Sequence, residues 1–231
     1  MLPWSAIGEP YTPTMEAMAE RMLPLIQAIQ PQGPYRIAGY SSGGILAYAI
    51  THLLMGKDAY VEFLGFIDVP APHKLTYKNQ SIKLDFTAHA KAMTSEAERH
   101  KLDILIRNID DTEFDELIKK AQGLGDYDSN ADLLLDTAKW RAIYHFAQLA
   151  DGYKPLRLPI QIPIYQFYAT DRKNVNLPRI DIVGGWKDAL PDLNIHSVSI
   201  PGEHLTMMTD VGHRKHLAET FNRALLQLNS D

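Results

Sequence analysis

Residues 35–68 place a strand pattern, a buried helix pattern and a second strand pattern directly one after another. YRIAGY (35–40) reads as a short strand, GGILAYAITHLLM (43–55) as a buried helix, and AYVEFLGFID (59–68) as another strand. This order predicts a compact βαβ unit. Its apolar strands are typical of a parallel sheet that is covered on both faces. We therefore predict an α/β fold with a mostly parallel sheet and helices on both of its faces.

Amphipathic helices are predicted near both ends of the chain. At 14–29 apolar residues recur at spacings of three and four, namely Met15, Met18, Met22, Leu25 and Ile29. Thr12 or Thr14 can cap the start of this helix. A closing helix at 213–228 carries one apolar face, formed by Leu217, Phe221, Leu225 and Leu228. Two further strand patterns, at 160–171 and 194–204, precede it.

The segment 73–155 differs from the rest of the chain. It is rich in Lys, Asp, Glu and Ala, and no strand pattern interrupts it. Helical periodicity occurs in three places, at 86–107, 113–121 and 131–149. An insertion of this length inside a sheet domain is typical of a functional segment. We expect one domain over residues 1–231, with 73–155 as its helical insertion.

Charge and composition exclude several classes of function. The net charge of −5 and the pI near 6.0 argue against a general nucleic-acid binder. The chain has no cysteine, which excludes disulfides, a thiol nucleophile and cysteine-ligated zinc. No signal-peptide pattern and no apolar run of about 20 residues is found. We expect a soluble, cytoplasmic protein without membrane contact. His213 and His216 are three apart, yet nothing completes a metal site, so we predict no metal and expect both to lie on a solvated helix face.

Gly39-Tyr40-Ser41-Ser42-Gly43 matches the G-x-S-x-G pattern of a nucleophile elbow. In such an elbow, glycines two positions from the nucleophile let the strand and the helix approach each other closely. Ser41 has a glycine on both sides at this spacing, whereas Ser42 has Tyr40 in the first of these positions. Ser41 is therefore the candidate nucleophile, and Tyr40 is expected to line the site and contact substrate.

A serine nucleophile needs a histidine base and a carboxylate that orients the base. His204 follows a strand pattern and a Pro201-Gly202 turn, where a base should lie. Asp68 and Asp171 both end strands, and both keep the order Ser, Asp, His. A strand-ending aspartate is often only a turn residue. These patterns alone leave both aspartates open.

Four stretches resemble the thioesterase domains that end nonribosomal peptide synthetases and polyketide synthases: GPYRIAGYSSGGILAYAI (33–50), GFIDVPAP (65–72), DGYKPLRLPIQIPIYQFYATD (151–171) and VSIPGEHLTMM (198–208). The resemblance covers the chain from about residue 9 onward. It implies an α/β-hydrolase fold, a helical lid at 73–155 over an acyl-binding channel, and Asp68 as the triad acid, with Asp171 in reserve. It also implies that the family's first strands, and the loop carrying a second oxyanion-hole donor, are absent here. The first donor would be the Ser42 backbone N–H.

The resemblance further implies a function. Such a domain binds no cofactor of its own and receives an acyl or peptidyl chain on the phosphopantetheine arm of a carrier protein, in the same polypeptide or assembly line. It releases that chain by hydrolysis or macrocyclisation through an acyl-serine. Three alternatives stay open: an editing (type II) thioesterase, an esterase for small acyl groups, and a non-catalytic pseudo-hydrolase that only binds.

Overall fold

The computed structural model describes residues 12–72, 100, 104, 114–123, 137–171 and 183–228. The chain divides into two compact units. Of the described residues, one unit holds 12–72, 149–171 and 183–228, and the other holds 100, 104, 114–123 and 137–148.

The first unit is built on a four-stranded parallel sheet. Its strands pair in chain order, and they are β1 (Tyr35–Tyr40), β2 (Val61–Ile67), β3 (Ile164–Ala169) and β4 (Ile195–Ile200). Because neighbouring strands are parallel, their carboxyl ends lie along the same edge of the sheet. The predicted α/β fold with a parallel sheet is confirmed, although the predicted third and fourth strands were longer than those observed.

Helices cover both faces of this sheet. They are α1 (Met15–Ile29), α2 (Ser42–Met55), α5 (Trp186–Ala189), α6 (Thr206–Thr209) and α7 (Val211–Gln227). On one face, the ring of Phe221 in α7 packs against Phe63 and Phe167. On the other, Phe66 packs against Tyr48 of α2 and Trp186 of α5. Alternate side chains of β2 thus point to opposite layers, as the pleat of a strand requires.

The start of helix α1 is predicted correctly, but two of the residues expected on its buried face are exposed. Thr14 is the N-cap, and its hydroxyl accepts a hydrogen bond from the Ala17 N–H. Its first three turns bury Met15, Met18, Ala19, Met22 and Leu23. Leu25 and Ile29 are 37% and 84% exposed. Their spacing continues the apolar stripe, but the last turn of α1 extends beyond the core that the stripe covers.

The apolar face predicted for the closing helix is confirmed in α7. Leu217 is buried, and Phe221, Leu225 and Leu228 pack partly buried against the same core. This core includes Phe63, Phe167 and Met207. None of the described helices is long and apolar enough to cross a bilayer.

The second unit contains α3 (Phe114–Gln122) and most of α4 (Thr137–Gly152). Both helices agree with the predicted periodicity at 113–121 and 131–149. Helix α3 buries Leu117, Ile118 and Ala121. Of the predicted helix at 86–107, only residues 100 and 104 lie within the described residues, and both are helical. The lid role of 73–155 stays a prediction.

Candidate active site

Ser41 lies at the turn between β1 and α2, in a backbone conformation that is uncommon for any residue but glycine. Its φ is 53° and its ψ is −135°. The Ser41 N–H donates to the Ile67 carbonyl over 3.0 Å, which extends the β1–β2 ladder by one residue. The Gly44 N–H in turn donates to the Ser41 carbonyl over 2.9 Å. Such strain persists only where surrounding contacts fix the backbone, and it is found at functional sites.

The glycines around Ser41 do not share one role. A Cβ on Gly39 would overlap the backbone of Gly43, and a Cβ on Gly44 would overlap the Val69 side chain. A Cβ on Gly43 would meet no described atom within 4 Å. The prediction that both glycines of the motif allow close approach is therefore correct for Gly39 and wrong for Gly43. The second tightly packed glycine is Gly44, one residue further on.

Asp68 follows β2 and is held on three sides by β3 and the loop after β4. Its N–H donates to the Phe167 carbonyl over 2.8 Å, and its Oδ1 accepts from the Ala169 N–H over 3.0 Å. Its φ of 49° is in the left-handed region, which aspartate tolerates better than most residues. Since Oδ1 is occupied by Ala169, Oδ2 is the oxygen directed at His204.

A chain of hydrogen bonds joins Asp68, His204 and Ser41. The His204 Nδ1 lies 2.7 Å from Asp68 Oδ2, and its Nε2 lies 3.1 Å from Ser41 Oγ. A carboxylate can only accept, so Nδ1 carries the hydrogen and Nε2 is left to accept from the serine hydroxyl. The side chain of Asp68 is 15% exposed and that of His204 is 42% exposed. The carboxylate is thus shielded, while the imidazole is open to an incoming substrate.

The residue after Asp68 is anchored by two buried donors that the sequence did not reveal. The Val69 carbonyl accepts from Gln166 Nε2 over 3.1 Å and from Trp186 Nε1 over 3.0 Å. Gln166 and Trp186 are both almost fully buried. This fixes the chain where it leaves β2 and so helps to hold Asp68. No motif marks these donors, because their contact depends on how separate segments pack.

Tyr40 contacts His204 twice. The two rings stack with centroids 4.7 Å apart and planes 20° apart, and the Tyr40 hydroxyl donates to the His204 carbonyl over 2.7 Å. Ser42 is the first residue of α2, where a backbone N–H has no partner within the helix. This N–H is thus available to an oxyanion beside Ser41.

Asp171, the reserve acid, is not placed against His204. Its N–H donates to the Gly202 carbonyl over 2.9 Å, and its exposed carboxylate accepts from the Thr170 hydroxyl over 3.4 Å. Asp171 thus ties the end of β3 to the turn that precedes His204. Of the two aspartates that the sequence left open, Asp68 is the one that contacts the imidazole.

Within the described parts of the chain, no group of three or more His, Asp or Glu side chains is placed to hold a metal ion. His213 and His216 lie in α7, and His216 is exposed. His213 packs against the Gly202 turn, since a Cβ on Gly202 would overlap its imidazole. The expectation of a solvated helix face holds for His216 and is wrong for His213, which supports the loop carrying His204.

Comparison with known proteins identifies the family. The family model of the thioesterase domain matches residues 2–225. The chain belongs to the thioesterase domain family. The match includes the elbow, Asp68 and His204.

Several relatives of this thioesterase domain are much larger enzymes, and the domain matches only a part of each. This chain is 28% identical over 221 residues to the nonribosomal peptide synthetase acyN of Ascocoryne sarcoides. The alignment covers 87% of this chain and 22% of acyN. The chain spans 2% to 22% of the length of curated relatives of this kind.

Two solved structures share the fold of this thioesterase domain. A four-domain nonribosomal peptide synthetase, holo-AB3403 bound to AMP and glycine, superimposes with a TM-score of 0.69 at 21% identity, over 95% of this chain and 16% of that one. The NocB thioesterase domain, in covalent complex with a fluorophosphonate nocardicin G analog, gives a TM-score of 0.58 at 20% identity, over 94% and 77%. Because both identities are below 25%, the likeness shows the fold alone, and that fold is the α/β-hydrolase fold.

Proposed function

We propose that this thioesterase domain is a serine hydrolase that releases an acyl or peptidyl chain from the phosphopantetheine thioester of a carrier protein. The observation that carries this proposal is the hydrogen-bonded chain from Asp68 through His204 to Ser41. Each group stands where its role requires it, with the orienting carboxylate on Nδ1 and the hydroxyl on Nε2. The fold and the thioesterase family support acyl transfer as the reaction that these three residues catalyse.

In the acylation step, Ser41 Oγ attacks the thioester carbonyl carbon and gives its proton to His204 Nε2. Asp68 stabilises the imidazolium that forms. The negative oxygen of the tetrahedral intermediate is held by the Ser42 N–H, at the positive end of the α2 dipole. The C–S bond then breaks, His204 returns the proton to the departing sulfur, and the acyl group stays on Ser41 as an ester.

In the second step, His204 takes a proton from the group that attacks the acyl-Ser41 ester; the ester C–Oγ bond then breaks, and His204 returns the proton to Ser41 Oγ. If the attacking group is water, the product is a free acid. If it is a hydroxyl or amine of the bound chain, the product is a macrocycle. A lid that excludes water favours the second outcome, and this is the role we propose for residues 73–155.

The proposal of a carrier-bound substrate rests on the relatives. The synthetase acyN is a nonribosomal peptide synthetase, and this chain matches 22% of its length. A carrier-protein partner in the same polypeptide or assembly line follows from such an arrangement. The chain itself supplies the hydrolytic site and needs no cofactor for the steps above.

The test uses a fluorophosphonate probe, since this class of reagent forms a covalent complex with the NocB domain. Intact-protein mass spectrometry should find one adduct on wild type and none on Ser41→Ala. Ser42→Ala is the matched control, because it keeps the backbone N–H and should label at a rate close to wild type. Labelling of Ser41→Ala at the wild-type rate would show that Ser41 is not the nucleophile.

The substrate class is tested separately, with a carrier protein loaded with an acyl or peptidyl thioester. Wild type should cleave it faster than a p-nitrophenyl ester of the same acyl group. The reverse preference would favour a small-acyl esterase. A preference for short acyl groups over peptidyl chains would favour an editing role. Binding of the loaded carrier without turnover would favour a non-catalytic module.

A further inference from the structure

The contacts within the triad do not fully restrain the ring of His204. The His204 side chain is 42% exposed, so a large part of its surface is not packed against protein. Among the described residues, its ring nitrogens hydrogen-bond to Asp68 and Ser41; these bonds fix the nitrogens but leave the ring plane free to tilt about the line that joins them. A base that tilts spends less time aligned with the serine hydroxyl, and small misplacements reduce rates strongly.

The ring of Tyr40 restrains this tilt. It lies against the imidazole with centroids 4.7 Å apart and an interplanar angle of 20°. This is within the separation at which aromatic rings stack favourably. When His204 becomes a cation during acylation, the face of the Tyr40 ring also attracts that charge.

The hydroxyl of Tyr40 restrains the backbone of the same histidine. It donates to the His204 carbonyl over 2.7 Å, across 164 positions of sequence. Tyr40 ends β1, whereas His204 lies on the loop after β4, at the opposite edge of the sheet. This hydrogen bond therefore ties the loop that carries the base directly to the strand that carries the nucleophile.

We infer that Tyr40 is a positioning residue that holds His204 in register with Ser41 through a ring contact and a backbone hydrogen bond. The inference rests on the proposed function, since it assigns Tyr40 a role in that same acyl transfer. It differs from the sequence prediction that Tyr40 lines the site and contacts substrate. A substrate-contacting tyrosine would affect mainly KM for long acyl chains. A positioning tyrosine affects the reactivity of Ser41 toward every reagent.

The experiment measures the second-order rate of Ser41 labelling by a small fluorophosphonate, which is too short to probe acyl-chain contacts. Tyr40→Phe keeps the ring and loses the hydroxyl, so labelling should slow by about 3- to 10-fold, as expected for one hydrogen bond. Tyr40→Leu loses both contacts and should slow labelling by about 10- to 100-fold. With an N-acetylcysteamine thioester, kcat should fall in the same order while KM stays within about twofold of wild type.

Tyr48→Phe is the matched control. The Tyr48 hydroxyl also donates to a backbone carbonyl, that of Leu156, over 2.7 Å, but it does not contact His204. This variant loses the same kind of hydrogen bond, so it should lower the melting temperature while labelling at the wild-type rate. If Tyr40→Leu fails to fold, comparing the labelling rates of Tyr40→Phe and Tyr48→Phe still tests the positioning role of Tyr40.

A second readout is the low-field proton signal of the His204 Nδ1–H in the NMR spectrum. It should be sharp in wild type and in Tyr48→Phe, and broadened or lost in Tyr40→Leu. Equal labelling rates in wild type and both Tyr40 variants, or a rise in KM with kcat unchanged, would overturn the positioning role. Wild type that does not label at Ser41 would instead overturn the proposed function.

Discussion

The substitution of Gly39 by alanine tests how tightly the elbow is packed. A Cβ on Gly39 would overlap the carbonyl of Gly43 and crowd the N atom of Gly44, which lies 2.5 Å away. These are backbone atoms in the first turn of α2, so no side chain can rotate aside. The alanine can be accommodated only if β1 and α2 move apart.

The size of the effect follows from that contact. Overpacking usually costs about 1–3 kcal/mol, and an overlap with backbone belongs at the upper end, at about 3 kcal/mol. For a domain of 150–250 residues, each kcal/mol lowers Tm by about 2–4 °C, so Gly39→Ala should lower Tm by about 6–12 °C. Because the shift also displaces Ser41, fluorophosphonate labelling should slow.

Gly43→Ala is the matched control for this experiment. Gly43 lies in the first turn of α2, its φ is not positive, and an added Cβ meets no described atom within 4 Å. Alanine is the better helix former by about 1 kcal/mol, so Tm should stay the same or rise by a few degrees. Thermal unfolding followed by circular dichroism measures both variants. Equal melting temperatures for Gly39→Ala and wild type, or equal losses for the two alanines, would refute this account of the elbow.

Two further predictions concern Asp68, the acid of the triad, and Asp210, the N-cap of α7. Asp68→Asn should reduce the acylation rate by about 10⁴-fold, while Asp171→Asn leaves it nearly unchanged; stopped-flow acylation measures both, and the reverse result would transfer the role to Asp171. The His213 N–H hydrogen-bonds to Asp210 and holds the pKa of that carboxyl below its usual range. A carboxyl with a depressed folded-state pKa stabilises the protein above its unfolded-state pKa, and this contribution is lost as pH falls through the folded value. Asp210→Ala should therefore lower Tm at pH 7, with the gap to wild type closing in acid, whereas Asp210→Asn, which keeps a capping oxygen, should show a smaller gap. A gap for Asp210→Ala that does not narrow in acid would contradict this.

The parallel sheet and the elbow could be predicted from the sequence because local patterns determine them. Apolar strands around a buried helix require a parallel arrangement, and the motif marks Ser41 within it. The face of α1 could be predicted only in part. Periodicity tells which residues share a face, but it does not tell where the core ends, so Leu25 and Ile29 were expected to be buried and are exposed.

The contacts within the site could not be read from the sequence alone, because they depend on which strands are neighbours. Asp68 and Asp171 each end a strand, and the residue patterns do not separate them. The two are separated by their backbone contacts: Asp68 has a left-handed backbone and places Oδ2 at His204, whereas the Asp171 N–H donates to Gly202, in the turn that precedes His204. The double contact of Tyr40 with His204 likewise joins residues 164 positions apart.

The placement of the three groups along the sheet has a consequence for how the chain folds. Ser41 follows β1, Asp68 follows β2, and His204 lies beyond β4, so nucleophile and acid come from one βαβ unit while the base comes from the far edge. A partly folded chain with β1 and β2 paired would hold the serine and the aspartate but no imidazole between them. Ser41 thus becomes reactive only after β3 and β4 have joined the sheet. The appearance of fluorophosphonate labelling during refolding would therefore time the completion of the sheet.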